Sequence, residues 1–134
     1  MKLELKHLAG YLPYELKIEC KDNSELGESS YISEMTGLHE SGVDDNYGNN
    51  WTFGIKPILR PLSDLTKEIE VNGEKFVPHT KLGGRPNLKD YDIVYLSKNI
   101  DNMSFGLIQK LLEWHFDIYG LIENGLAINI NTLP

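Results

Sequence analysis

The stretch SFGLIQKLLEWHFDIY, residues 104–119, is the longest run in the chain with a helical period. On a 3.6-residue repeat Ile108, Leu111, Leu112, His115 and Tyr119 share one side, and Leu107, Trp114, Ile118 and Leu121 a second. Gly106, Lys110, Glu113 and Asp117 leave one narrow polar stripe. A helix so apolar must be covered by its own sheet or by a partner. Asp101 and Ser104 compete as its N-cap. Downstream, Gly120 loosens the end and Gly125 caps a further turn over 121–124. Leu126, Ile128 and Ile130 then alternate as a closing strand.

Upstream of the helix the period changes to two. Leu16, Ile18 and Cys20 alternate with Glu15, Lys17, Glu19 and Lys21, which predicts a half-buried strand with Cys20 as a small core residue. Met1, Leu3 and Leu5 alternate in the same way, after which Leu5, Leu8 and Leu12 fall at helical spacing until Pro13 stops the turn. Tyr31 and Ile32 suggest a weak strand within 29–39. The segment 51–59 is aromatic and β-branched enough for another, with Pro57 favouring an edge or a bulge. Ser63 and Asp64 read as cap and first-turn acid of a short helix bearing Leu62, Leu65 and Ile69. Asn72-Gly73 predicts a two-residue hairpin, because both residues tolerate positive φ, and that register sets Ile69 opposite Phe76 and Glu70 opposite Lys75. Residues 82–88 read as loop and Asp92–Leu96 as a short buried strand.

A chain of 134 residues with 40% hydrophobic and 25% charged side chains fits one globular domain, 1–134. No run of about 20 apolar residues offers a membrane span, and MKLELKHLAG lacks the core of a secretory signal. One cysteine gives neither an internal disulfide nor a multi-cysteine zinc site. A cytoplasmic protein is expected. The net charge of −7 is concentrated: residues 21–50 hold one Lys against seven carboxylates, Asp22, Glu25, Glu28, Glu34, Glu40, Asp44 and Asp45. This Gly- and Asn-rich stretch reads as a variable acidic loop. Such a charge repels a phosphate backbone and favours a basic protein partner, so direct nucleic-acid binding is not expected.

Candidate chemistry is sparse. His39, Glu40, Asp44, Asp45 and Asn46 form the densest set of hard-cation donors, but Gly48 comes one position early for a calcium loop, and Ile55 stands where its closing Glu belongs. Glu113 and Asp117 are one turn apart on the helix's polar stripe, where exposure is the simpler account. His115 reads as a core histidine with a single hydrogen bond. His79-Thr80 is a faint hint of phosphodiester chemistry. The basic stretch 81–89, flanked by Tyr91 and Tyr95, matches no phosphate-binding fingerprint. Cys20 reads as an inert core thiol. No cofactor or catalytic residue is expected.

Three stretches, LKHLAGYLPYELKI, IKPILRPLSDLTKEIEVNGEKFVP and LLEWHFDIYGLIENGLAINI, resemble a family of small uncharacterised proteins of bacterial genomes and prophages. They cover about half the chain and skip 21–50. The family has no established activity, so the resemblance implies context alone: an accessory protein that binds a host or phage macromolecule. The expectation is an α+β domain, a small and mostly antiparallel sheet packed on one long C-terminal helix. Its function is expected to be non-catalytic, for example inhibition of a host defence protein through Glu34, Glu40, Asp44, Asp45, Tyr47 and Trp51. The alternatives are a metal-dependent phosphoester enzyme using the acidic loop, and a homodimer through the apolar helix.

Overall fold

The computed structural model describes residues 2–24, 27–82, 96 and 98–133, with the backbone alone for 22–24 and 27–29. The chain is a mixed α and β fold with eight strands among the described residues: β1 Lys17–Ser24, β2 Gly27–His39, β3 Gly42–Asp45, β4 Asn50–Trp51, β5 Ile55–Leu59, β6 Ile69–Val71, β7 Glu74–Phe76 and β8 Ile128–Asn129. Six form one sheet in the order β4-β3-β2-β1-β5-β8, antiparallel except for the β5–β8 pair. Helices are short: α1 Leu5–Leu8, continued as a 3-10 turn over Ala9–Tyr14, α2 Pro78–Lys81 and α3 Phe105–Glu113.

Most of the described residues of 21–50 are therefore strand, where a loop was expected. β1 and β2 pair without a break from Lys17↔Glu34 to Ser24↔Gly27. A bulge between Met35 and Gly37 then bends β2 away from β1 and hands it to β3. Thr36, the extra residue, donates its hydroxyl to the Asp45 carbonyl at 3.1 Å. Tyr31, Ser33 and Met35 face the core with Cys20, Ile18 and Leu16; the last three are fully buried. Charge sits on the outer face, where Lys17 opposes Glu34 and Glu19 opposes Lys56.

Chain length makes this sheet roll. Only residues 52–54 join β4 to β5, although the sheet order separates those strands by four positions. Four spacings in a flat sheet measure about 19 Å, whereas four residue steps reach about 14 Å at most. Gly54, at φ +79°, makes the return, and its carbonyl accepts from the Lys21 N–H at 2.7 Å. The α1 segment packs Leu8 and Tyr11 into the same core as Ile18, Met35, Val43 and Leu59. Residues 1–5 were expected to alternate as a strand; Lys2–Glu4 have no regular structure, and the helical spacing of Leu5 and Leu8 prevails as α1.

The second core cluster joins α3 to the hairpin through Leu65, Ile69, Leu111, Trp114, Phe116 and Ile118. The Asn72-Gly73 hairpin has the expected register, Ile69↔Phe76 and Glu70↔Lys75, with φ of +52° and +83° at the turn. Ser104 is the N-cap of α3, its hydroxyl accepting the Leu107 N–H at 3.3 Å. The helix does not extend to Tyr119. His115 takes φ +62°, and the N–H groups of His115 and Phe116 turn back to the carbonyls of Leu112 and Leu111, a Schellman closure. The chain then runs extended, with Phe116 bridged to Arg60, whose guanidinium donates to the Trp114 and Glu70 carbonyls. Gly125 repeats the closure as expected, its N–H bonding to Ile122 and that of Leu126 to Leu121. The closing strand shrinks to β8, parallel to β5.

Among the smaller expectations, one changes. Leu62–Thr66 is a 3-10 turn with Pro61 at its N-cap; Ser63 caps nothing, and Asp64 is buried with its carboxylate on the Asn131 amide. Pro57 lies inside β5, alongside residues that β8 is too short to reach. The strand expected at Asp92–Leu96, Leu96 apart, and the loop expected over 82–88, Leu82 apart, lie outside the described residues. Among the described residues no helix is long and apolar enough to cross a membrane.

Candidate partner-binding site

The six residues expected to meet a partner do not form one patch. Asp45 is 3% exposed and serves the fold. One carboxylate oxygen accepts the Tyr31 hydroxyl at 2.6 Å and the Trp51 indole N–H at 3.0 Å; the other accepts the Tyr47 and Asn49 backbone N–H groups at 2.9 Å each. Burial alone would raise this carboxyl, but the four donors outweigh it and hold it at about 2. Tyr31 in turn is raised, first by burial and then by Asp45. Asp45 and the half-buried Trp51 indole are thus the knot that ties the 46–49 turn to β4. Asp45 is therefore not a free contact.

Asp44 points to the opposite face of β3. Its carboxylate takes the Asn50 amide at 2.8 Å and the His39 ring at 2.6 Å, and these two partners, Asn50 first, lower its pKa. Glu40 is exposed in the β2–β3 turn, and Tyr47 is 66% exposed beside Tyr31, the rings edge to face at 5.6 Å between centroids. Glu34 lies on the outer face, opposite Lys17, in a different groove.

A groove of about 470 Å³ runs between the β2–β3 turn, the β4 edge and the start of the chain. Glu40 and Trp51 line it with Leu5, Leu38, Phe53 and Ile55. Phe53 is 78% exposed, and Leu5 is also exposed. Phe53 was not among the expected residues, although it follows Trp51 by two positions; an aromatic in the connection between two strands was the available signal. The site therefore combines apolar side chains with charged ones, Glu4 and Glu40 beside Lys2.

The carboxylates do not assemble as a metal centre. Among the described residues no three His, Cys, Asp or Glu groups converge, and the Asp45 lone pairs already serve four donors. Glu113 pairs with Lys110 at 3.0 Å. Asp117, expected exposed, is buried, because the helix ends before it. Its carboxylate instead caps the N–H groups of Tyr119, Leu121 and Ile122. His79 is buried, and the Thr80 hydroxyl is taken by the Val77 carbonyl. Cys20 is buried against the Ser33 hydroxyl, and desolvation raises its thiol, as suits an inert side chain. Leu111 on α3 and Trp114 at its C-cap are buried internally; Phe105, on the first turn, is the large apolar side chain left exposed.

His115 behaves as a histidine with one hydrogen bond, its Nε2–H donating to the Tyr14 carbonyl at 2.6 Å. Burial pushes its pKa down, with the Tyr14 bond partly opposing. Replacing His115 with glycine trades that bond for a residue suited to positive φ. Urea unfolding is expected to show a net change below about 1 kcal/mol; a loss of several would mean that the imidazole holds the closure.

No protein-family model, no curated protein and no solved structure matches this chain.

Proposed function

We propose that this protein acts by binding a macromolecular partner, as a phage-type accessory protein, and that the partner is a basic protein such as a nucleic-acid-binding component of host defence. The observation that carries this reading is the exposed Phe53 and Leu5 in a groove that Glu4 and Glu40 also line, on a chain of net charge −7. Apolar side chains of that size in one groove favour protein contact, and the acid excess speeds encounter with a basic surface. The resemblance to prophage-encoded proteins supports the same context.

The test compares two immobilised proteins, wild type and a Phe53→Ser/Glu40→Gln variant, in lysate from phage-infected cells. One basic protein should be retained by wild type, released as salt rises from 0.1 to 0.5 M (a range spanning roughly a twofold change in Debye length), and largely lost on the variant. Equal retention on both would remove the groove from the reading. Salt-insensitive retention would remove the basic partner.

A further inference from the structure

A second, larger groove of about 880 Å³ lies between the outer face of β1–β2, the β6–β7 hairpin and the end of α3. Its far wall is already neutralised. Lys81 sits over the Phe76 ring and pairs with Glu74, and Lys110 sits over the Trp114 ring and pairs with Glu113. The near wall is different. Glu15, Lys17 and Glu34 line it, and none of the three side chains has an ion pair or a hydrogen bond among the described residues. His115 lines it too. Its Nε2–H is committed to the Tyr14 carbonyl, so in the neutral ring Nδ1 is an acceptor. Nδ1 has no protein partner and is not among the buried unpartnered atoms, so it is open to solvent on a residue that lines the groove.

We propose that this groove binds an arginine-bearing peptide segment of a protein partner, with the guanidinium on Glu15 and Glu34 and backbone amides on His115 and Lys17. The near wall offers two carboxylates and a ring nitrogen as acceptors against one ammonium donor. A guanidinium supplies up to five N–H donors and no acceptor, which fits the carboxylates. A peptide backbone brings an N–H for His115 Nδ1 and a carbonyl for Lys17 together. A polyamine has nothing to offer Lys17. The inference rests on the reading of a basic protein partner but uses none of the residues of the Phe53 groove.

The experiment is an NMR titration of the intact protein with the blocked peptide Ac-Gly-Arg-Gly-Arg-Gly-NH2. Parallel arms use the same peptide with citrulline for arginine, and spermidine. The expected result is saturable shifts at the His115 ring, the Trp114 indole and the Lys17 amide. Citrulline peptide, spermidine and the Glu15→Gln/Glu34→Gln variant should each bind about tenfold more weakly. The two substitutions are on exposed or half-exposed side chains, and a wild-type spectrum elsewhere checks the fold. Absence of shifts at millimolar peptide, equal binding by citrulline peptide, or equal binding by the double variant overturns the proposal. Spermidine binding as tightly as the peptide overturns the peptide assignment. A Phe53→Ser/Glu40→Gln protein should titrate like wild type. Loss of lysate capture with this titration intact, or the reverse, therefore separates the two sites.

Discussion

Asp45→Ala is expected to lower the unfolding free energy by about 3 kcal/mol, since it strands several part-buried donors that now bond a charged group. The Tyr31 hydroxyl can turn its proton elsewhere, toward water; the Trp51 indole N–H and the Tyr47 and Asn49 amides cannot. Asp45→Asn separates charge from shape. Its amide must present an NH2 either to the indole N–H or to two backbone N–H groups, so it should lose about 2 kcal/mol even though it is isosteric. Asp44→Asn, one residue away on the opposite face, should change stability little. The same carboxyl sets an acid limit. Its folded pKa, about 2, lies below the ordinary 3.8, so its contribution is complete above about pH 4 and disappears as pH falls through 2. Urea midpoints between pH 5 and pH 2 should fall more steeply for wild type than for Asp45→Asn. Parallel curves would mean that Asp45 titrates as a surface carboxylate.

Gly54→Ala should cost about as much, near 3 kcal/mol, for a different reason. A left-handed alanine loses about 1 kcal/mol, and its Cβ would stand 2.5 Å from the Lys21 carbonyl oxygen, a backbone atom that cannot swing aside. Gly48→Ala is the matched control. Its φ is +85° and a Cβ there meets nothing within 4 Å, so only the conformational cost of about 1 kcal/mol remains. The difference between the two losses measures how closely the β4–β5 connection lies against β1, which is the closure of the rolled sheet. Equal losses would place that connection away from β1.

The parts legible in the sequence were those fixed by local chemistry. Asn72-Gly73 set the hairpin register, the alternation of Leu16, Ile18 and Cys20 set β1, Ser104 marked the start of α3 and Gly125 the closure of the turn before β8. Where the reading failed, distant partners decided. Helix α3 stops early because His115 adopts a conformation usually left to glycine, with its ring on the Tyr14 carbonyl 101 residues away. That bond has no sequence signature. Residues 21–50 read as loop because charge, Gly and Asn are turn signals, yet Asp45 carries its charge inward and is satisfied there. Of the residues expected to contact a partner, Glu40 and Trp51 line one groove, while Asp45 belongs to the fold and Glu34 to a second groove. Glu15, Glu34 and His115 converge from three elements, so spacing could not have grouped them.

The acidic segment as a rigid wall of rolled sheet is the claim on which both proposed sites depend. Amide hydrogen exchange followed by mass spectrometry tests it most directly, on peptides covering residues 30–45. The β1–β2 and β2–β3 ladders predict protection there comparable to that of Leu16–Cys20, persisting for hours at neutral pH. Complete exchange of 30–45 within seconds, with 16–20 still protected, would contradict it.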